Sequence, residues 1–308
     1  MDRRDFLKKA IRGGIIAGSG LAFGGMGGIR LAAAAEKEKN WDLVAVRGGE
    51  PDAMFDAAIN AYGGLGTFVP KGSKVVVKPN IGWDVTPERG ANTHPALVGR
   101  IVKRCLEAGA KEVAVFDHTC DNWRQCYATS GIGKAVEDAG GKMLSADSEG
   151  YYREVAIPQG KRLTKALVHQ ALLDADVFIN APVLKDHSST KLTASMKNLM
   201  GVVWDRGYWH RNDLHQCIAD FASFRKPDLI VVDAYHVMKR NGPRGVSEGD
   251  VATMKAQLLS RDCVAVDAAA AKLLGVEPGE IRHIQIASDM QLGRMELNDL
   301  SINRIKLG

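Results

Sequence analysis

The sequence predicts an α/β fold, a mostly parallel sheet with helices on both faces, built as one domain or two intimate lobes. Three observations predict it. Short apolar runs rich in valine and isoleucine alternate with helix-like stretches, the pattern of strands buried on both faces. Four of those runs end on a polar or ionisable group, as strands do when their carboxyl ends open on a ligand crevice. The roughly 273 residues left after a cut at Ala35 are enough to bury a sizeable core.

The elements follow in order. Leu43–Val46 reads as a strand and Pro51–Tyr62 as a helix with proline in its first turn. Lys74–Lys78 is a buried strand, followed by a helix over Pro95–Ala108. Glu112–Phe116 is the next strand, with a helix at Ile132–Ala139. Ala166–Ala175 reads as a helix leading into the strand Asp176–Asn180. Ser195–Met200 and Leu214–Phe224 are helix-like and precede the strand Asp228–Val232. Met254–Leu259 is strand-like, Val264–Leu274 and Ile284–Asp289 are helical, and Ile302–Ile305 is a last strand.

Residues 1–35 read as an export signal and 36–308 as a single α/β domain. Met1 to Arg12 is basic and opens on Arg3-Arg4-Asp5-Phe6-Leu7-Lys8; Gly13 to Ile29 is uncharged but rich in glycine; Ala33-Ala34-Ala35 fits a cleavage site. Paired arginines before such a stretch form a twin-arginine signal, which implies the twin-arginine translocase as partner and the periplasm as destination. The uncharged run is short for a membrane span, which needs roughly 20 apolar residues. The signal holds six positive and two negative residues, so +4 of the formal +5 leaves with it and the mature chain is +1. A nearly neutral domain has no electrostatic footprint for nucleic acid.

The five cysteines, Cys105, Cys120, Cys126, Cys217 and Cys263, form no Cys-x-x-Cys, so neither a ferredoxin run nor a zinc knuckle is present. Cys120 and Cys126 flank a loop-like stretch, where an oxidising compartment permits a disulfide. No Walker loop and no Gly-x-Ser-x-Gly elbow occurs.

The chemistry concentrates at the strand ends. Val77 runs into Lys78-Pro79-Asn80, Phe116 into Asp117-His118, Ile179 into Asn180, and Val232 into Asp233 with His236 soon after. Lys185 to Gly201 adds three lysines at six-residue spacing (Lys185, Lys191, Lys197), five hydroxyl residues, His187 and a helix start near Thr193. Helix amides, hydroxyls and ammonium groups suit a carboxylate or phosphate. His187 and His118 are the expected acid–base residues, with Asp117 and Lys185 beside them. Asn80, His94, Lys191, Lys197, Asn198, Asp233 and His236 are the expected ligand contacts. No metal triad is legible from spacing, but His118, His187 and Asp233 could assemble from distant segments to hold a divalent metal such as Zn, Ni or Fe.

Lys78-Pro79-Asn80, Thr93-His94-Pro95, Ser130-Gly131-Ile132, Lys185-Asp186-His187, and above all Met196-Lys197-Asn198-Leu199-Met200-Gly201 are similar to the bacterial family called domain of unknown function 362. Asp233, Gly242-Pro243 and Asp262-Cys263-Val264-Ala265-Val266-Asp267 also match, so the resemblance spans about Trp41 to Ile305. It implies no settled activity. Some members of that family carry a ferredoxin module, whose cysteines this chain lacks, and twin-arginine signals are common among them. The expectation is an exported, metal- or cofactor-dependent enzyme acting on a small anionic ligand by redox or isomerase/lyase chemistry. The alternative is a non-catalytic ligand-binding or maturation factor for a periplasmic redox partner.

Overall fold

A computed structural model describes residues 41–308, which belong to one compact unit; the twin-arginine segment lies outside them. The main sheet has nine strands: β1 (Leu43–Arg47), β2 (Lys74–Pro79), β3 (Glu112–Val115), β4 (Lys142–Met143), β7 (Val177–Ala181), β8 (Val183–Lys185), β9 (Leu229–Met238), β10 (Val251–Ser260) and β11 (Ile302–Lys306). Their order is β11-β1-β10-β9-β7-β2-β3-β4, with β8 also paired to β9. Only β10 runs against its neighbours β1 and β9; the other pairings are parallel. The mostly parallel sheet expected from the valine-rich runs is therefore present. β2 and β7 are buried along almost their whole length, as strands covered on both faces must be.

One apolar layer on one face includes Phe55, Leu97, Ile101 and Ile132. The layer on the other face includes Trp209, Phe221, Val264 and Ile284. The helices Pro51–Ala61, Pro95–Glu107 and Ile132–Asp138 supply the first layer, and Leu214–Ala222, Cys263–Leu274 and Arg282–Asp289 the second. Proline opens the first two of these helices, where its missing N–H costs nothing.

The structure corrects several local expectations. The stretch expected as a helix over Ala166–Ala175 is mainly strand: β6 (Lys165–His169) pairs antiparallel with β5 (Tyr152–Ala156), and only Gln170–Leu173 is helical. Alanine and leucine made the segment look helical, but a cross-strand partner decided it. The loop-like stretch between Cys120 and Cys126 runs into a helix, Trp123–Thr129, capped by the Asn122 side chain, which accepts from the Arg124 and Gln125 amides. All five thiols are free, so no Cys120–Cys126 disulfide forms. The strand expected to end at Val232 continues to Met238, which leaves Asp233 inside β9 rather than at its carboxyl end.

Candidate active site

The carboxyl ends of β2, β3, β7 and β8 open on one side of the sheet, and a cavity of about 70 Å³ lies there. Lys78, Asn80, Asp117, His118, Lys185 and His187 all line it. So do Cys120, Thr193, Lys197, Asn198 and Arg206. A larger trough of about 480 Å³ lies over β1, β10 and β11, lined by residues such as Ala45, Met254 and Leu258. No cluster of buried ionisable groups converges on that trough, so the small polar cavity is the candidate site.

The cavity rests on a chain of amide hydrogen bonds. Lys78 Nζ donates to Asn198 Oδ1 at 2.8 Å, and Asn80 Nδ2 donates to the same oxygen at 3.2 Å. Asn198 Nδ2 donates to the Lys78 carbonyl at 3.2 Å and to Asn180 Oδ1 at 2.8 Å, while Asn180 Nδ2 reaches the Ser195 carbonyl and hydroxyl. Strand ends β2 and β7 are thus tied to the Lys-Asn-Leu-Met-Gly block. The one-turn helix Ser195–Asn198 carries the start of that block. Its first amides are not free for a ligand. Asp267, on the helix Cys263–Leu274, accepts from Ser195 N at 2.6 Å and Met196 N at 3.0 Å. The expected anion-binding helix start is therefore capped from within. Burial nonetheless pushes the Asp267 carboxyl up to about 7, against the pull of those two amides.

Positive charge dominates the site. Lys78 and Lys185 are each 1% exposed, and Lys197 and Arg206 are partly buried. The single acid lining the cavity is Asp117, whose Oδ1 lies 2.9 Å from Lys78 Nζ and whose Oδ2 accepts the Ile81 amide at 2.7 Å. Lys185 Nζ donates to the Ala91 carbonyl and to Asn80 Oδ1 at 3.4 Å, both uncharged. Burial lowers Lys185 to about 7 and Lys197 to about 8, and lowers Lys78 despite the adjacent Asp117 carboxylate. Arg206 spends its donors on the loop after β3, at the His118 and Thr119 carbonyls.

The two histidines differ in tautomer. His187 Nδ1 accepts the Ser189 amide at 3.1 Å, so its remaining proton sits on Nε2. Burial, with Lys197 and Lys185 nearby, lowers it to about 2, and it stays neutral. His118 Nδ1 lies 2.9 Å from the Val203 carbonyl, to which it donates, leaving a lone pair on Nε2. Its ring stacks on Trp204, centroids 5.0 Å apart, and burial lowers its affinity for a proton.

Of the candidate residues, Asn80, Asp117, His118, Lys185, His187, Lys197 and Asn198 line the cavity; Lys191, His94, Asp233 and His236 do not. Lys191 is exposed and pairs with Glu280 at 3.3 Å. Asp233 is buried and accepts the His94 amide at 2.7 Å and the Tyr235 amide at 2.9 Å. His94 caps the helix Pro95–Glu107 through Nδ1 and lies beside His236, whose own Nδ1 faces Thr253 Oγ1. Asp233 is absent from the lining that His118 and His187 share, and among the described residues no group of three or more His, Cys, Asp or Glu is placed to hold a metal ion. The expected His118–His187–Asp233 metal set is not assembled, because Asp233 lies inside β9 and its carboxylate is taken up by the His94 and Tyr235 amides. Sequence reasoning missed Arg206, which carried no signal, and gave the others different parts: Lys78 as the polar end of a buried valine run, Cys120 as one half of a disulfide, and Thr193 as the start of an anion-binding helix.

Residues 75–272 match the family model described as Domain of unknown function (DUF362). The chain belongs to this family. The match takes in every residue lining the cavity. This DUF362 protein is 28% identical over 245 residues to the Thylakoid-associated protein sll1697 of Synechocystis, covering 74% of this chain and 71% of that one. Among solved structures it is similar to the lactate racemase apoprotein of Thermoanaerobacterium thermosaccharolyticum, with a TM-score of 0.45, 13% identity and 69% of this chain covered. A Thermotoga maritima protein gives a TM-score of 0.46 at 10% identity over 78% of this chain. The chain spans 53% and 60% of the lengths of those two structures.

Proposed function

We propose that this DUF362 protein is an enzyme acting on a small carboxylate- or phosphate-bearing anion held in the cavity at the carboxyl ends of β2, β3, β7 and β8. One observation carries the reading: Lys78, Lys185, Lys197 and Arg206 line one small cavity against a single carboxylate, Asp117. Lysines are almost never fully buried unless paired, and an uncompensated buried charge costs several kcal/mol. A bound anion removes that cost; a bare metal cation adds to it. The volume suits a guest of a few heavy atoms, well below the several hundred Å³ of a nucleotide-sized pocket.

Catalysis by proton transfer, as in isomerisation or elimination, fits the site better than the acid–base role first expected of His187. A neutral imidazole lowered to about 2, with its proton on Nε2, is a hydrogen-bond donor rather than a base. Lys185 at about 7 exchanges a proton near neutral pH, and His118 offers an Nε2 lone pair. Thermal unfolding in low salt tests the anion reading. Sulfate, phosphate or oxalate should raise the melting temperature in wild type, and Lys197→Gln should weaken the effect about tenfold in apparent affinity. A melting temperature indifferent to every anion would overturn it.

We also propose export in the folded state through the twin-arginine translocase to the periplasm. The support is Arg3-Arg4 with the glycine-rich run and Ala33-Ala34-Ala35. Among the described residues no helix is long and apolar enough to cross a membrane. Cell fractionation of an Arg3→Lys, Arg4→Lys double variant should find the protein retained in the cytoplasm. Unchanged periplasmic yield would refute the route.

A further inference from the structure

Of the five cysteines, four are buried and one is not. Cys105, Cys126, Cys217 and Cys263 lie in the core, and burial pushes each thiol up, Cys126 to about 11 and Cys217 and Cys263 to about 12. Cys120 is exposed, on the loop after β3, and lines the lysine-rich cavity. Its amide donates to the Gly82 carbonyl at 2.8 Å, which fixes the backbone beneath the sulfur. Arg206 Nη1 donates to Sγ at 3.5 Å. Reactive cysteines are those whose sulfur is reachable and faces positive charge, and Cys120 meets both conditions.

A second observation points independently to a guest in the same cavity. Thr193 is 3% exposed and lines it, yet its hydroxyl has no hydrogen-bond partner. Its backbone is fully used, pairing with Lys185 in both directions at 2.8 and 3.2 Å, so the residue is held in place while its side chain is left unmatched. A buried hydroxyl without a partner costs about 1–3 kcal/mol. A ligand oxygen seated between Thr193 and the lysines would satisfy it.

We propose that Cys120 is the nucleophile of this site, attacking an electrophilic carbon next to the anionic group of a small acid bound by the lysines. The proposal rests on the anion reading above. With a carbonyl carbon, the Sγ–C bond forms as the C=O π bond breaks. The electron pair moves onto oxygen, and the thiol proton ends on that oxygen, so no further reactant is needed. Lys197 and Thr193 are the donors available to that oxygen as its charge develops. The role is distinct from the disulfide that the sequence suggested for this cysteine.

Competitive alkylation of the full mature protein tests it, with iodoacetate and iodoacetamide as probes and the Cys120 peptide quantified by mass spectrometry. In both reagents sulfur displaces iodide, but only iodoacetate carries the anion. At Cys120 the iodoacetate-to-iodoacetamide rate ratio should exceed that of free glutathione by about tenfold or more, since a cationic cleft concentrates anions by that order. Sulfate should suppress iodoacetate labelling in wild type, a control that requires no variant to fold. Lys197→Gln should return the ratio toward the glutathione value, and Cys120→Ser should remove the label while keeping sulfate-induced stabilisation. A glutathione-like ratio, or a Cys120 that does not alkylate, overturns the nucleophile even if sulfate still stabilises the fold. If no anion stabilises the protein, the anion reading fails first, and the alkylation ratio then reports on the sulfur alone.

Discussion

At the scale of single residues, the site is defined by how burial changes what a lysine is. An ammonium group in water is unreactive, but Lys185 and Lys197, brought down to about 7 and about 8 by burial, sit where protons exchange. Anion binding favours their charged forms, so affinity should be highest below about pH 7 and fall as pH rises through 7–8. Calorimetric titration with sulfate, whose own charge is constant there, measures this directly. An affinity flat between about pH 6 and pH 9 would mean the lysines do not hold the anion. Part of this residue set was legible in the sequence. Lys185, His187, Lys197 and Asn198 stand in a dense polar segment, and Asp117 and His118 end a strand. Lys191 looked equivalent to its neighbours six positions away. It lies in the turn between β8 and the short helix, with a left-handed φ of 60°, and pairs outward with Glu280, while Lys185 on β8 and Lys197 on the short helix face the cavity.

At the scale of elements, the Lys-Asn-Leu-Met-Gly block works through close approach. A Cβ on Gly201 would lie 1.8 Å from Asp117 Oδ1 and 2.5 Å from Lys78 Nζ, so only glycine lets the buried ion pair pack against this turn. Gly201→Ala should separate Lys78 from Asp117, abolish anion-induced stabilisation and cost about 1–3 kcal/mol in denaturant unfolding. An alanine variant that keeps wild-type anion response would show that the pair is not part of the site. The turn glycine could be noticed in the sequence, but not its reason, because Asp117 and Lys78 come from other strands. The same holds for Asp267. Its place in a helical run suggested nothing about capping, from 71 to 72 residues away, the one-turn helix that carries Lys197.

At the scale of the whole molecule, the cavity exists because the parallel strands β7, β2 and β3 end on the same side, with β8, which pairs with β9, ending beside them. Stability should follow the buried histidines of the second apolar layer and the site. His187 is lowered to about 2 and His283, fully buried, to about 3, both by burial. In the unfolded chain each takes up a proton near its ordinary value of 6.5. Below that pH the unfolded state binds more protons, so stability present above it is lost as pH falls, on the order of 1 kcal/mol per pH unit for each group. Chemical denaturation between about pH 7 and pH 4 should show this slope, flattened in a His283→Gln variant; a pH-independent midpoint would contradict it. By itself the sequence determined the strand–helix alternation, the polar strand ends and the family pattern, because hydrophobic period and local motifs are properties of neighbouring residues. Only the tertiary structure decided which polar groups meet. Strand pairing made β6 from a helix-like segment and ran β9 past Asp233. It also brought Arg206, Cys120 and Thr193 to the lysines, since convergence at a sheet edge depends on strand order and on where each backbone stops.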